Sequence, residues 1–108
     1  MKPIQRFVIC TDSAGEWESA APARDRDRIT ELMQAKGWNV WHWFEDLWLV
    51  TNPGQEYSVG SIRDEIRALP SMGDKHVLVM EVEGVAYSGF GPNKAWAWMR
   101  KRWSGESV

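Results

Sequence analysis

The segment Trp38–Val50, reading Trp-Asn-Val-Trp-His-Trp-Phe-Glu-Asp-Leu-Trp-Leu-Val, constrains this chain more than any other. It reads as two short strands joined at Glu45-Asp46, and both faces of that hairpin are apolar. A two-residue loop sets Phe44 opposite Leu47, Trp43 opposite Trp48, His42 opposite Leu49 and Trp41 opposite Val50. Directly paired residues share a face, and successive residues alternate between faces. One face then carries Trp38, Val40, His42, Phe44, Leu47 and Leu49. The other carries Trp41, Trp43, Trp48 and Val50. A small antiparallel sheet needs one apolar face for its own core. The second face must be covered by something else, and the identity of that cover is the functional question.

The rest of the chain supplies the partners of the hairpin. Residues 6–11, Arg-Phe-Val-Ile-Cys-Thr, hold four consecutive apolar residues, the signature of a central strand buried on both faces. The spacing of Ile29, Leu32 and Met33 predicts a helix over about 23–36, with Gly37 as its C-terminal stop. Val59, Ile62, Ile66 and Leu69 give a second amphipathic helix over about 58–69, ended by Pro70. Residues 75–83 read as a last strand. Pro92 then suits the start of a terminal helix whose stripe is Trp96, Met99 and Trp103. The order strand, helix, strand, strand, helix, strand favours right-handed crossovers around a central hairpin. The economical solution is an α+β, ferredoxin-like split βαββαβ domain. Its antiparallel sheet has the first and third strands central and two helices on one face, with an added C-terminal helix. The chain of 108 residues reads as one domain, with a core over about 5–84 and an extension over about 85–108.

Three tryptophans side by side would form an apolar patch of ~500 Å², large for the surface of a monomer. Three covers are consistent with the sequence. A second copy of the chain could pack sheet against sheet. The C-terminal helix could fold back through Trp96 and Trp103. Unstacked bases could lie on Trp41, Trp43 and Trp48, as on aromatic sheets that bind single strands. Basic residues would be wanted beside such a platform, whereas the hairpin tip holds Glu45 and Asp46. The net charge of −2 argues against a broad nucleic-acid footprint. Arg100-Lys101-Arg102 is the one compact basic run. It offers candidate phosphate contacts, or it serves the helix dipole.

Asp12 stands just past the first strand, at a strand end of the kind where sites are built. One carboxylate cannot hold a catalytic metal, but two across a twofold axis could hold Mg²⁺ or Mn²⁺. Such a metal would polarise a phosphodiester and lower the pKa of an attacking water. The alternative is that Asp12 opens a turn by bonding its own backbone. Glu16 and Glu18 could assist a cation there, or form a solvated acidic loop. His42 alternates onto an apolar face, which suits a satisfied core histidine. His76 has no ligand partner near it in sequence. Cys10 is the single cysteine, so an internal disulfide is impossible and a reducing, cytoplasmic location fits. The beginning of the chain lacks a signal-peptide pattern, and no run of 18 apolar residues predicts a membrane span. Phosphate-binding glycine loops, zinc spacings and nucleophile elbows are not found in the sequence.

The ordered set of segments resembles a known group. The segments are residues 6–12, Trp41-His-Trp43 with Asp46–Val50, Ser61–Arg67, Asp74–Val82 and Ala95–Trp98. Together they are similar to the SinR-like relatives of the small CRISPR-associated adaptation nuclease and of the virulence-associated protein D toxins. The resemblance implies a ferredoxin-like fold and a homodimer. In nuclease members an acidic residue ending the first strand binds the metal, one from each subunit, and Asp12 matches that position. Many members of such families are catalytically silent. The resulting expectation is a homodimeric, non-catalytic interaction module from a mobile-element or defence context, binding protein or nucleic acid. Its alternatives are a metal-dependent endoribonuclease using paired Asp12 and a single-strand binder acting through the tryptophans.

Overall fold

In the computed structural model, the described residues are 4–11, 21–70, 72, 75–84 and 86–104. Four strands form one antiparallel sheet: β1 (Gln5–Thr11), β2 (Asn39–Phe44), β3 (Leu47–Asn52) and β4 (Val77–Val82). Their order across the sheet is β2-β3-β1-β4, so β1 and β3 are central and β2 and β4 are edges. All three pairings are antiparallel. Helix α1 (Ala21–Ala35) connects β1 to β2, and α2 (Val59–Arg67) connects β3 to β4. The terminal helix begins as α3 (Asn93–Trp98) and continues through a π-helical turn, Met99–Trp103. The α+β architecture anticipated from the pattern is therefore present.

Each boundary has a local cause. Helix α1 ends in a pair of reversed bonds: Gly37 N–H donates to Gln34 O at 2.9 Å and Trp38 N–H to Met33 O at 3.3 Å. That double closure needs a left-handed residue between the two donors, and Gly37 supplies it with φ of 79°. Helix α2 starts at Ser58, whose hydroxyl accepts from Ser61 N–H at 3.0 Å. A serine cap of this kind satisfies one of the orphan donors of the first turn, worth about 1 kcal/mol. The terminal helix starts after Pro92, whose missing N–H costs nothing there. Its last turn widens so that Ser104 N–H reaches Met99 O at 2.8 Å. Arg6 Nε on β1 then donates to Trp103 O at 2.6 Å, tying that end of the helix to the sheet.

The sheet separates two apolar layers. In the first, Phe7, Ile9, Trp48 and Val50 face Ile29 and Met33 of α1 and Ile62 and Ile66 of α2. Both connecting helices thus pack on the same side. In the second, Leu49 packs with Met99 and Trp103, flanked by Val8, Trp41, Trp43, Leu47, Val82, Trp96 and Trp98. The terminal helix is the cover of this second face.

The hairpin differs from the simple two-residue register in one residue. Phe44 does pair with Leu47, but the ladder then slips: His42 faces Trp48, Trp41 faces Leu49 and Val40 faces Val50. The irregularity lies between His42 and Phe44, so Trp43 is the extra residue of a β-bulge. A one-residue slip moves every side chain of one strand to the other face relative to its neighbour. Trp48 and Val50 consequently join the core face, both fully buried, while Leu47 and Leu49 join Trp41 and Trp43. The core position suits Trp48, because its indole N–H there donates to Thr30 Oγ1 of α1 at 2.9 Å. His42 stacks on the Trp48 ring with centroids 4.4 Å apart and planes 8° apart. Its Nε2 lies 2.8 Å from Glu45 O. A carbonyl only accepts, so Nε2 is the donor in this contact.

Candidate functional site

Two regions hold the residues that the sequence singles out, and a third is seen only in the structure. The first is the tryptophan layer under the terminal helix. Trp43 meets Trp96 edge to face at 5.3 Å, and Trp41 meets Trp98 at 6.3 Å and 30°. Trp98 continues to Trp103 at 6.5 Å. The chain approaching this helix runs past the indoles at close range. A Cβ on Gly89 would lie 3.1 Å from the Trp96 ring, and one on Gly91 3.3 Å from the Trp43 ring. At both places a side chain would press on the indole, which would have to give by a few tenths of an ångström. Trp96 Nε1 also donates to Gly91 O at 3.2 Å. Trp41 is the exception in this layer: its indole nitrogen is buried and has no hydrogen-bond partner. Leaving such a donor unpaired costs ~1–3 kcal/mol.

The seal is partial. A groove of about 420 Å³ remains, lined by Trp43, Phe44, Leu47, Leu49, Met99 and Trp103 and rimmed by residues 86–90. Phe44 stacks on Trp43 at 5.6 Å and stays 62% exposed, and Phe90 at the rim is fully exposed. On the opposite flank of the same face, Leu78 and Met80 of edge strand β4 are 54% and 45% exposed. They sit beside Cys10 and Val8 of β1, respectively. Arg100, Lys101 and Arg102 occupy the exposed side of the terminal helix. Trp48 lies in the core, out of reach of a base, and Trp41 and Trp43 are partly covered by the terminal helix.

The second region is the end of β1, where Asp12 follows. Asp12, Glu16 and Glu18 lie outside the described residues. The adjoining residues form a charged knot. Thr11 Oγ1 donates to Asp46 Oδ1 at 2.7 Å, and Thr11 N–H donates to Asp46 O at 3.0 Å. Arg26 of α1 reaches Asp46 Oδ1 at 3.4 Å and Glu45 Oε2 at 3.7 Å. The hairpin tip is thereby pinned to both β1 and α1. Cys10, on the second face nearby, is only partly buried. Burial pushes its thiol above the ordinary range, and the Asp46 carboxylate adds to the shift. A thiol so placed is a poorer nucleophile at neutral pH. Among the described residues no three His, Cys, Asp or Glu side chains gather as a metal site.

The third region went unread in the sequence because its residues are scattered along the chain. Gln5 Oε1 accepts from Asn52 Nδ2 at 2.9 Å and from Tyr57 N–H at 2.8 Å. Lys36 Nζ donates to the Tyr57 hydroxyl at 3.0 Å, pairs with Glu65 at 2.5 Å and lies 4.3 Å over the Tyr57 ring. A cavity of about 400 Å³ opens beside Lys36, Trp38, Asn52 and Tyr57. Asn52 is fully buried and satisfied, because Nδ2 also donates to Gln55 O at 2.7 Å and Oδ1 accepts from Gly54 N–H at 2.8 Å. The network clasps β1, β3 and the loops after α1 and β3. Its polar groups are engaged with one another.

No helix of the described residues is long and apolar enough to cross a membrane. No family model, curated protein or solved structure matches the chain.

Proposed function

We propose that the chain is a homodimeric, non-catalytic interaction module with a ferredoxin-like split βαββαβ fold. On this reading it belongs to the SinR-like group and acts in the cytoplasm in a mobile-element or defence context. The fold reading is supported by the sheet order β2-β3-β1-β4, with both connecting helices on one face. The interaction reading is carried by one observation. Once the terminal helix has covered the tryptophans, apolar side chains still face solvent on both flanks of that layer: Phe44 and Phe90 on one, Leu78 and Met80 on the other. Exposed apolar groups clustered along one face mark surfaces that meet other molecules.

The test measures mass and cleavage together. Sedimentation equilibrium gives the oligomeric state. A mixed RNA and DNA panel with Mg²⁺ or Mn²⁺, run with wild type and Asp12→Asn, reports on chemistry. A self-associating protein that leaves the panel intact is the expected result. Divalent-dependent cleavage by wild type alone would replace this reading with the endoribonuclease one. That alternative rests on Asp12, one from each subunit, as the residue that would hold Mg²⁺ or Mn²⁺.

A further inference from the structure

We propose that the groove beside the terminal helix is a docking site for an acidic segment of another protein, one that carries aromatic or aliphatic side chains. The proposal rests on the interaction-module reading above and names the chemistry of the partner.

The groove itself selects apolar groups. Trp43, Phe44, Leu49, Phe90, Met99 and Trp103 line it, and none of the residues around it is charged. Phe44 is 62% exposed there and Phe90 fully exposed. An apolar side chain entering between them would take its own surface and theirs out of water together.

The terminal helix selects charge. Asn93–Trp103 carries Lys94, Arg100, Lys101 and Arg102 and no acidic residue, in a chain whose net charge is −2. All four cations are exposed. None of them makes an ion pair or a side-chain hydrogen bond with another described residue. Arg26, Arg28, Lys36 and Arg63, by contrast, each pair with a carboxylate. The helix dipole accounts for the three cations of the last turn, but Lys94 stands in the first turn, where the dipole disfavours it. Arg100 and Arg102 adjoin Met99 and Trp103, the two helix residues that line the groove. An uncharged groove bordered by unpaired cations complements a ligand with apolar anchors and carboxylates outside them.

A peptide segment suits this surface better than a nucleic-acid strand. Glu45 directly follows Phe44 and is 81% exposed. A strand with a phosphate at every step would meet that carboxylate, whereas a peptide can set a neutral residue beside it.

The experiment selects a displayed library of random peptides on the immobilised full chain. Enriched peptides are synthesised with a fluorescent label, and their anisotropy is read with wild type, Phe44→Ala, Phe90→Ala and the double exchange Arg100→Glu with Arg102→Glu. A labelled oligouridylate is measured alongside, and circular dichroism checks that each variant is folded. Enriched peptides are expected to combine Asp or Glu with Leu, Phe or Trp. Each phenylalanine change is expected to weaken binding roughly tenfold. The double exchange is expected to weaken it at least as much at low salt and less as salt is raised. No enrichment, enrichment of peptides without acids, or affinities that the variants leave unchanged would overturn the proposal. Oligouridylate that binds through the same residues and is not displaced by the peptides would overturn it too. Sedimentation of the same variants keeps the two readings apart. Self-association that persists in all of them, with no peptide bound, would remove the groove and leave the interaction module standing. Self-association lost in Phe44→Ala and Phe90→Ala would give the groove to a second copy instead.

Discussion

Replacing Trp48 and Trp41 by phenylalanine, one at a time, should give opposite answers although the chemistry is the same. Each change removes about three heavy atoms, roughly 2 kcal/mol of transfer free energy if all were buried. Trp48 is fully buried and donates to Thr30 Oγ1 at 2.9 Å. Its replacement forfeits that bond as well, worth ~0.5–1.5 kcal/mol, and leaves a cavity between the sheet and α1. The expected loss is about 3 kcal/mol, a large part of the ~5–15 kcal/mol typical of a domain. Trp41 is only partly buried, so the transfer loss there is about 1 kcal/mol. Removing its orphaned indole N–H returns an amount of similar or greater size. Trp41→Phe should therefore be neutral to within about 1 kcal/mol, or slightly stabilising. Urea unfolding separates the two, since a difference of about 3 kcal/mol moves the midpoint by roughly 1.5 M at typical slopes. Equal losses at both positions would refute the bulged register and the face assignments that depend on it.

Gly91→Val should destabilise through the Trp43 ring, which lies 3.3 Å from the position of the new Cβ. Overpacking of this kind costs ~1–3 kcal/mol, and thermal unfolding would read it. Asp46→Ala should cost about 1–2 kcal/mol, because it releases both the Thr11 hydroxyl and Arg26 from the hairpin tip. An unchanged urea midpoint would show the knot to be idle. Cys10 carries a pH signature. Its folded thiol titrates above the ordinary value, so as pH rises the unfolded chain ionises first. The folded state then holds more protons, and stability falls as pH climbs through the unfolded thiol's range. Wild type should lose stability relative to Cys10→Ser between pH ~7 and ~10. A constant difference would contradict the shift.

Where the sequence was legible, one residue type had one local job. Gly37 closes α1 because its φ of 79° suits glycine. Ser58 caps α2 with its own hydroxyl, and Pro92 precedes the terminal helix without losing a bond. Strand β1 and the stripe of Ile62 and Ile66 follow from apolar periodicity alone. The hairpin was legible as a hairpin but not in register. Trp43 and Trp48 are equally apolar, so periodicity could not say which strand held the extra residue. The decision depends on Thr30, 18 residues before Trp48, which offers the indole an acceptor on the core side. The cover of the tryptophan face was open for a similar reason. A second copy and the chain's own helix offer the same aromatic chemistry, and only tertiary geometry selects Met99 and Trp103. The clasp of Gln5, Lys36, Asn52 and Tyr57 left no local pattern at all, because its partners are up to 52 residues apart.

Hydrogen–deuterium exchange of wild type at low and high protein concentration tests the account most directly. The account predicts that amides of the terminal helix are protected equally at both, since the helix seals the tryptophans of its own chain. Protection of the terminal helix that vanishes on dilution would contradict this and place an association between copies on the tryptophan face.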